Sequence, residues 1–327
     1  MFEFRFSLGS ARRPMGLVVL GTAVLLMAGA GLAIRAQDAG PAGKPPRPGT
    51  GAKEAETANT QKPATKPDGV PQAARIEANG AGATAAGAAD SPVPPIDAEH
   101  PLYLPLQEAY KAREALKGIK DFEAEFMKRE LIGRKVLKTT MNLKLRHEPF
   151  SVYLKFQDLN AGREVIYVEG RNKNNLWVHE AGIKSIVGTL SLPPTGPDAM
   201  ADNRHPVTMI GLQTMLDKVI KQWEDEAKFG EVKTQKYPTA KLPSGEECVA
   251  YEALHPTPRT QFKFHITRLW IDKKSGLAVR IEQHAFPQAG DKSPPLIEEY
   301  TYSKIKTNVS LTDRDFDTKN PSYAFGG

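Results

Sequence analysis

From Phe122 onward the chain alternates with a period of two. Phe122, Ala124 and Phe126 are separated by Glu123 and Glu125, and Met141, Leu143 and Leu145 by Asn142 and Lys144. Successive side chains of a strand point to opposite faces, so each run presents one apolar and one polar face. With residues 131–136 as the connection, Phe122 faces Leu145, Ala124 faces Leu143 and Phe126 faces Met141. The same register sets Glu123 opposite Lys144, an ion pair on the polar face. A second hairpin repeats the logic. Val152 and Leu154 meet Tyr167 and Val165 across residues 157–162, and Lys155 faces Glu164. A fifth strand is predicted over 176–180 and a sixth over 183–187.

On either side of this meander the period becomes helical. Leu106, Ala109, Tyr110, Arg113 and Leu116 share a face, which predicts a helix over 104–117 stopped by Gly118. Residues 188–205, with Pro193, Pro194 and Pro197, read as a loop. Pro206 suits the first position of a helix. Met209, Leu212, Leu216, Val219, Trp223 and Ala227 then form a stripe reaching about Phe229. Strands return near 231–237, 248–254, 262–272, 276–286 and 296–307. In LWIDKKSGLAVRIEQ, residues 273–276 form a turn and Asp272 pairs with Leu277. That register puts Ile266, Arg268 and Trp270 on one face with Leu277, Val279 and Ile281, and His265 opposite His284. Helix, strands, helix, strands, with few crossovers, predicts an α+β fold. Its large antiparallel sheet curls around the helices.

Composition divides the 327 residues into three parts. Arg5, Arg12 and Arg13 precede an uncharged apolar run over 15–34. A positive segment followed by an apolar one directs export. Twenty residues are long enough to span a bilayer, whereas Ala28 and Ala30 have the spacing of a cleavage site. Residues 1–36 are therefore a signal peptide or a membrane anchor. Residues 37–98 are rich in Ala, Gly and Pro, and 37–95 hold no Phe, Trp or Tyr. Such a segment cannot bury enough surface to fold and is expected to be a disordered spacer. Behaving as a coil it would reach roughly 40–45 Å. Residues 99–327 form the folded domain, large enough for one core.

The formal charge of +6 does not point to nucleic acid. From Glu99 onward 34 basic residues face 30 acidic ones, and the signs alternate, as in Lys128-Arg129-Glu130. A nucleic-acid binder gathers its positive charge on one face, whereas this pattern reads as solvated surface.

Catalytic signals are weak. His265 and His284 could hold a metal only with further ligands, the nearest being Glu282, and a surface pair beside Arg280 is the plainer reading. His179-Glu180 lacks the second histidine of a zinc helix, and phosphate-binding and nucleophile-elbow motifs are absent. Cys248, the single cysteine, excludes a disulfide framework and lacks a histidine partner. Asp313, Asp315 and Asp317 alternate, but without the rest of a calcium loop they read as a solvated strand end. No catalytic residue, cofactor or metal is assigned. Arg268 stands out, because the register places it between Ile266 and Trp270 on the apolar face. A buried arginine needs a carboxylate partner, or else it serves a head group in an apolar groove.

The segments DFEAEFMKREL, HEPFSVYLKF, GREVIYVEG and LWVHEAG, in that order, resemble the first half of outer-membrane lipoprotein carrier (LolA-like) proteins. LWIDKKSGLAVRIEQ and EEYTYSKIKTNVSLTDRDFD resemble their closing strands. The region 102–325 also resembles an uncharacterised bacterial domain family on the same plan. The resemblance implies an unclosed half-barrel with helices covering the concave side, which binds acyl chains or an apolar peptide. With the export segment read above, the leading expectation is an exported, non-enzymatic cell-envelope protein of the periplasm, holding a lipid or lipoprotein acyl chain on its concave face. Joined to the alternation above, it suggests a groove lined by Phe126, Leu143, Leu154, Tyr167, Trp177, Arg268 and Trp270. The alternative is a membrane-tethered interaction or sensor module whose sheet core is filled.

Overall fold

The structure, a computed structural model, describes residues 93–326. The expected export segment and most of the expected spacer lie outside the described residues. Within them, Pro94 is buried and Ile96 packs on the core.

One sheet of 11 strands organises the fold. Its first half is a meander of β1 (Asp121–Ile132), β2 (Lys135–Arg146), β3 (Ser151–Phe156), β4 (Glu164–Val168), β5 (Leu176–His179) and β6 (Thr189–Leu192). Its second half is β7 (Lys233–Lys241), β8 (Glu247–Leu254), β9 (Ile266–Asp272), β10 (Ala278–His284) and β11 (Leu296–Thr307). Every pairing is antiparallel, and β11 joins the halves by lying beside β1. The edge strands are β6 and β7, which do not pair with each other, so the sheet is unclosed. Three helices accompany it: α1 (Tyr103–Ala115), the short α2 (Pro197–Met200) and α3 (Leu212–Glu226).

The expected registers of the first two hairpins are present. Phe122 faces Leu145, Phe126 faces Met141 and Glu123 faces Lys144. Val152 faces Tyr167 and Lys155 faces Glu164. Pairing runs further than expected toward the β1–β2 turn, to Ile132 opposite Lys135. Residues 183–187 are not a strand. They form a 3-10 turn, Gly182–Val187, and the sixth strand follows in the stretch expected to be loop. The α3 helix starts at Leu212 and not at Pro206. Gly211, at φ 131°, breaks the backbone, and a Cβ there would lie 3.1 Å from Leu145 Cδ1.

The inner face carries α1 and α3. Trp223, Leu216, Leu106, Phe122 and Leu145 are fully buried in this layer. A smaller cluster on the outer face is closed by the C-terminal tail, where Phe316 and Phe325 pack with Tyr153, Ile166 and Val168. The tail is also held by ion pairs. Asp313 meets Arg146 and Arg171 at 2.9 and 2.6 Å, and Asp315 meets Lys144 at 2.7 Å. Asp317 caps the Lys319 N–H. None of the three lies in a strand: Asp313 and Asp317 are exposed, and Asp313 and Asp315 pair with basic residues of the sheet. Asp313 and Asp315 lie in a 3-10 turn that staples the tail to the sheet.

The β9–β10 hairpin departs from the expected register at one residue. Asp272 N–H donates to Leu277 O at 2.9 Å, as expected, and Ala278 faces Ile271. A β-bulge at Val279 then makes Arg280, not Val279, the partner of Trp270. Beyond it Ile281 faces Leu269, and Glu282 faces Arg268. One extra residue moves every later side chain to the other face. Arg268 and Trp270 therefore lie on the outer face, away from Ile281. His284 likewise faces Ile266 in place of His265.

Candidate functional site

A cavity of about 360 Å³ lies between the inner face of the sheet and the segment joining β6 to α3. Its apolar wall comes from Phe126 of β1, Met141 of β2, Leu154 of β3, Val165 of β4 and Val178 of β5. Period-two alternation aims these residues to one side. Ile210 and Met215 roof it from above, and Ile281, Tyr300 and Tyr302 extend the wall along β10 and β11. Tyr302 is fixed by accepting the Gly211 N–H at 3.0 Å, which links the sheet to the residue preceding α3.

Toward one end the same alternation brings in charge. Phe126 is followed on its face by Lys128 and Glu130, and Tyr300 by Glu298. Lys128 Nζ donates to Glu130 Oε2 at 2.5 Å, to the Asp202 carbonyl at 3.3 Å and to Asn203 Oδ1. Tyr300 donates to Glu130 Oε1 at 2.6 Å. Arg204 Nε donates to Glu298 Oε2 at 2.8 Å, and His205 Nε2 lies 3.0 Å from the same oxygen. Burial opposes ionisation of Glu298, but its His205 and Arg204 contacts outweigh burial and hold the carboxyl at about 2. Burial pushes the Tyr300 phenol up, reinforced by the Glu298 and Glu130 charges. Nearer the rim Arg163 and Glu180 pair at 2.8 Å.

Lys128 and Glu130 are only 8 and 2 % exposed. They are not the solvated surface that their alternating signs suggest. His205 carried no motif in the sequence, and Glu298 and Tyr300 lay in the EEYTYSK segment without a functional assignment. The one available signal was positional: Lys128 and Glu130 continue the inner-face parity of Phe126.

Of the expected groove residues, Phe126 and Leu154 line the cavity. Leu143 and Tyr167 belong to the inner core without lining it. Trp177 packs on the outer-face cluster, across from Ile166. Arg268 lies between two carboxylates, donating to Glu282 Oε1 at 2.8 Å and to Glu252. Arg280 continues the row, 3.1 Å from Glu282 and 3.0 Å from Glu299, with its guanidinium over the Trp270 ring. Arg129 closes it on Glu299 at 2.8 Å. Arg268 and Trp270 are thus parts of an outer-face ladder, not of the groove.

A second hollow, of about 550 Å³, lies along the outer face and is bordered by Lys144, Lys155, Lys304 and Lys306. Three of these lysines already meet carboxylates: Asp315 at 2.7 Å, Glu164 at 3.1 Å and Glu125 at 2.9 Å. It offers no apolar wall comparable to that of the inner cavity.

His265 and His284 take separate partners, the His255 carbonyl at 2.8 Å and the Pro294 carbonyl at 3.0 Å, with His284 also on Glu282. Among the described residues no group of three or more His, Cys, Asp or Glu is placed to hold a metal ion. Cys248 is fully buried, and burial pushes its thiol up to about 12, with Asp272 and Glu246 adding to the effect. No helix among the described residues is long and apolar enough to cross a membrane.

The chain is similar to several solved structures at low identity. One is a DUF1329 family protein from Desulfovibrio piger, 14 % identical over 67 % of this chain and 98 % of that one, with a TM-score of 0.31. Another is a putative outer membrane lipoprotein-sorting protein domain from Vibrio parahaemolyticus, 13 % identical over 65 % of this chain and 95 % of that one, with a TM-score of 0.29. A third is the Mycobacterium tuberculosis lipoprotein LppX, 14 % identical over 65 % of this chain and 97 % of that one, with a TM-score of 0.38. No curated protein matches the sequence. The family described as protein of unknown function, DUF1571, matches residues 119–325, and the chain belongs to that family.

Proposed function

We propose that this is an exported cell-envelope binding protein that holds one acyl chain of a lipid or lipoprotein in the inner-face cavity, without catalysis. The observation that carries the reading is the cavity itself. Its volume falls within the range of small-molecule sites, roughly 300–1,000 Å³. Its wall is aliphatic and aromatic, from Phe126 through Val178, and its polar groups gather toward one end around Lys128, Glu130 and Glu298. That division suits an amphiphile with its chain along the wall and its head at the cluster. The apolar run at 15–34 supports delivery across, or anchorage in, the inner membrane. The space left between sheet and roof favours binding over an interaction module with a filled core.

The test is native mass spectrometry with lipid extraction of the purified protein, followed by titration with a fluorescent fatty acid. A co-purifying acyl lipid and saturable, one-site binding are expected. A protein that carries no lipid and shows only linear, unsaturable uptake ends the proposal.

A further inference from the structure

The Gly182–Val187 turn between β5 and β6 presents Ile183, Ile186 and Val187 at 88, 86 and 67 % exposure. Apart from Val93, no other large hydrophobic residue among the described ones is more than half exposed. Three such side chains in one turn form a patch, not the scatter that every surface carries. The turn is also built. Gly182 and Gly188 bracket it at φ 65 and 74°, Ser185 Oγ donates to the Gly182 carbonyl at 2.7 Å, and the Gly188 N–H donates to Ser185 O at 2.9 Å. These bonds satisfy part of its backbone without water, as an apolar surrounding requires.

Its position ties it to the cavity. Glu180, just before the turn, and Leu190, just after it, both line the cavity. Its chemistry is aliphatic with a single lysine, Lys184. Protein hot spots favour Trp, Tyr and Arg, none of which is in the turn. Aliphatic tips beside a cation instead match an acyl region under anionic head groups.

We propose that the Gly182–Val187 turn is a bilayer-contact element, with Ile183, Ile186 and Val187 entering a lipid surface and Lys184 at its head groups. The contact brings the edge of the cavity to the source of its ligand. The apolar run at 15–34 would keep the chain near such a surface. The inference rests on the acyl-chain reading above, and the experiment separates the two.

Full-length protein carrying Ile186→Cys is labelled with an environment-sensitive dye and reconstituted in phosphatidylcholine–phosphatidylglycerol vesicles. Cys248 is buried and stays unlabelled. A lipid-borne quencher should quench this label several-fold more than one at Lys274→Cys in the β9–β10 turn. Equal, weak quenching at both positions overturns the proposal. So does self-quenching that rises with protein concentration without lipid quenching, which would mark docking of a second copy. In parallel, the Ile183→Asp/Ile186→Asp variant is compared with the parent. It should bind a fluorescent fatty acid from solution as the parent does, yet take it from vesicles several-fold more slowly. Equal uptake rates from vesicles count against the turn. If the parent binds no fatty acid at all, the cavity reading fails, and the quenching comparison still decides the bilayer contact.

Discussion

His205 meets Glu298 at 3.0 Å, and this contact fastens the segment that roofs the cavity to the sheet beneath it. Arg204 holds the same carboxylate oxygen and also reaches the Leu131 carbonyl at 3.3 Å. The attachment is therefore a charged one over an apolar space, and it depends on Glu298 staying ionised.

That dependence predicts an acid response. A carboxyl depressed in the folded state stabilises above its unfolded pKa, near 4.5, and the contribution is lost as pH falls toward its folded value of about 2. The drop corresponds to about 3 kcal/mol. Glu282 is held equally low, where burial is outweighed by His284, Arg268 and Arg280, so it shares the response. Thermal unfolding should therefore show Tm falling between pH 4.5 and 2, with a shallower fall in Glu298→Gln. Parallel curves for the two proteins would remove Glu298 from the account.

Replacing Arg268 should separate stability from binding. Arg268→Met leaves Glu252 and Glu282 without a shared partner on the outer face. Because Arg268 is partly exposed, a cost of about 1–3 kcal/mol is expected, below that of breaking a fully buried pair. Fatty-acid affinity should not change. A loss of affinity at unchanged Tm would return Arg268 to the groove from which the bulge at Val279 removes it.

Filling the cavity should do the opposite. Leu154→Phe and Val178→Phe add volume where the wall faces open space, so strain should stay below the ~1–3 kcal/mol typical of overpacked cores. Each should lower or abolish fatty-acid binding. Unchanged binding in both, measured by the same titration, would place the ligand elsewhere.

The C-terminal tail should be structural. Phe316 is 1 % exposed, with Arg146 5.0 Å over its ring, and Tyr323 stacks on Tyr153 at 4.1 Å. Phe316→Ala should cost about 3–5 kcal/mol. Denaturant unfolding measures this, and a cost under 1 kcal/mol would mean the tail adds little.

Legibility followed the range of the interactions. The β1–β2 and β3–β4 hairpins could be read residue by residue, because their partners are close in sequence and one apolar face must be buried. Phe126 and Leu154 came with them. Arg268 and Trp270 were lost at one bulge, because Val279 is apolar and fits either face of a regular strand. Trp177 was lost because an aromatic residue on a half-buried strand gives no sign of which face is covered, and here the tail covers the outer one.

By itself the sequence determined the alternation, and through it the antiparallel α+β architecture, the helices of the inner face and the apolar floor of the cavity. These follow from periods of two and 3.6, which are properties of the local chain. Tertiary structure alone decided that Lys128 and Glu130 are buried and that Asp313 and Asp315 of the tail are paired. It also decided that Glu298 anchors a roof. Each result requires partners far away in the chain, 75 residues for Lys128 and Asn203 and 93 for His205 and Glu298. A charge can be buried only where folding supplies its counter-charge. No pattern within one strand records where that counter-charge comes from.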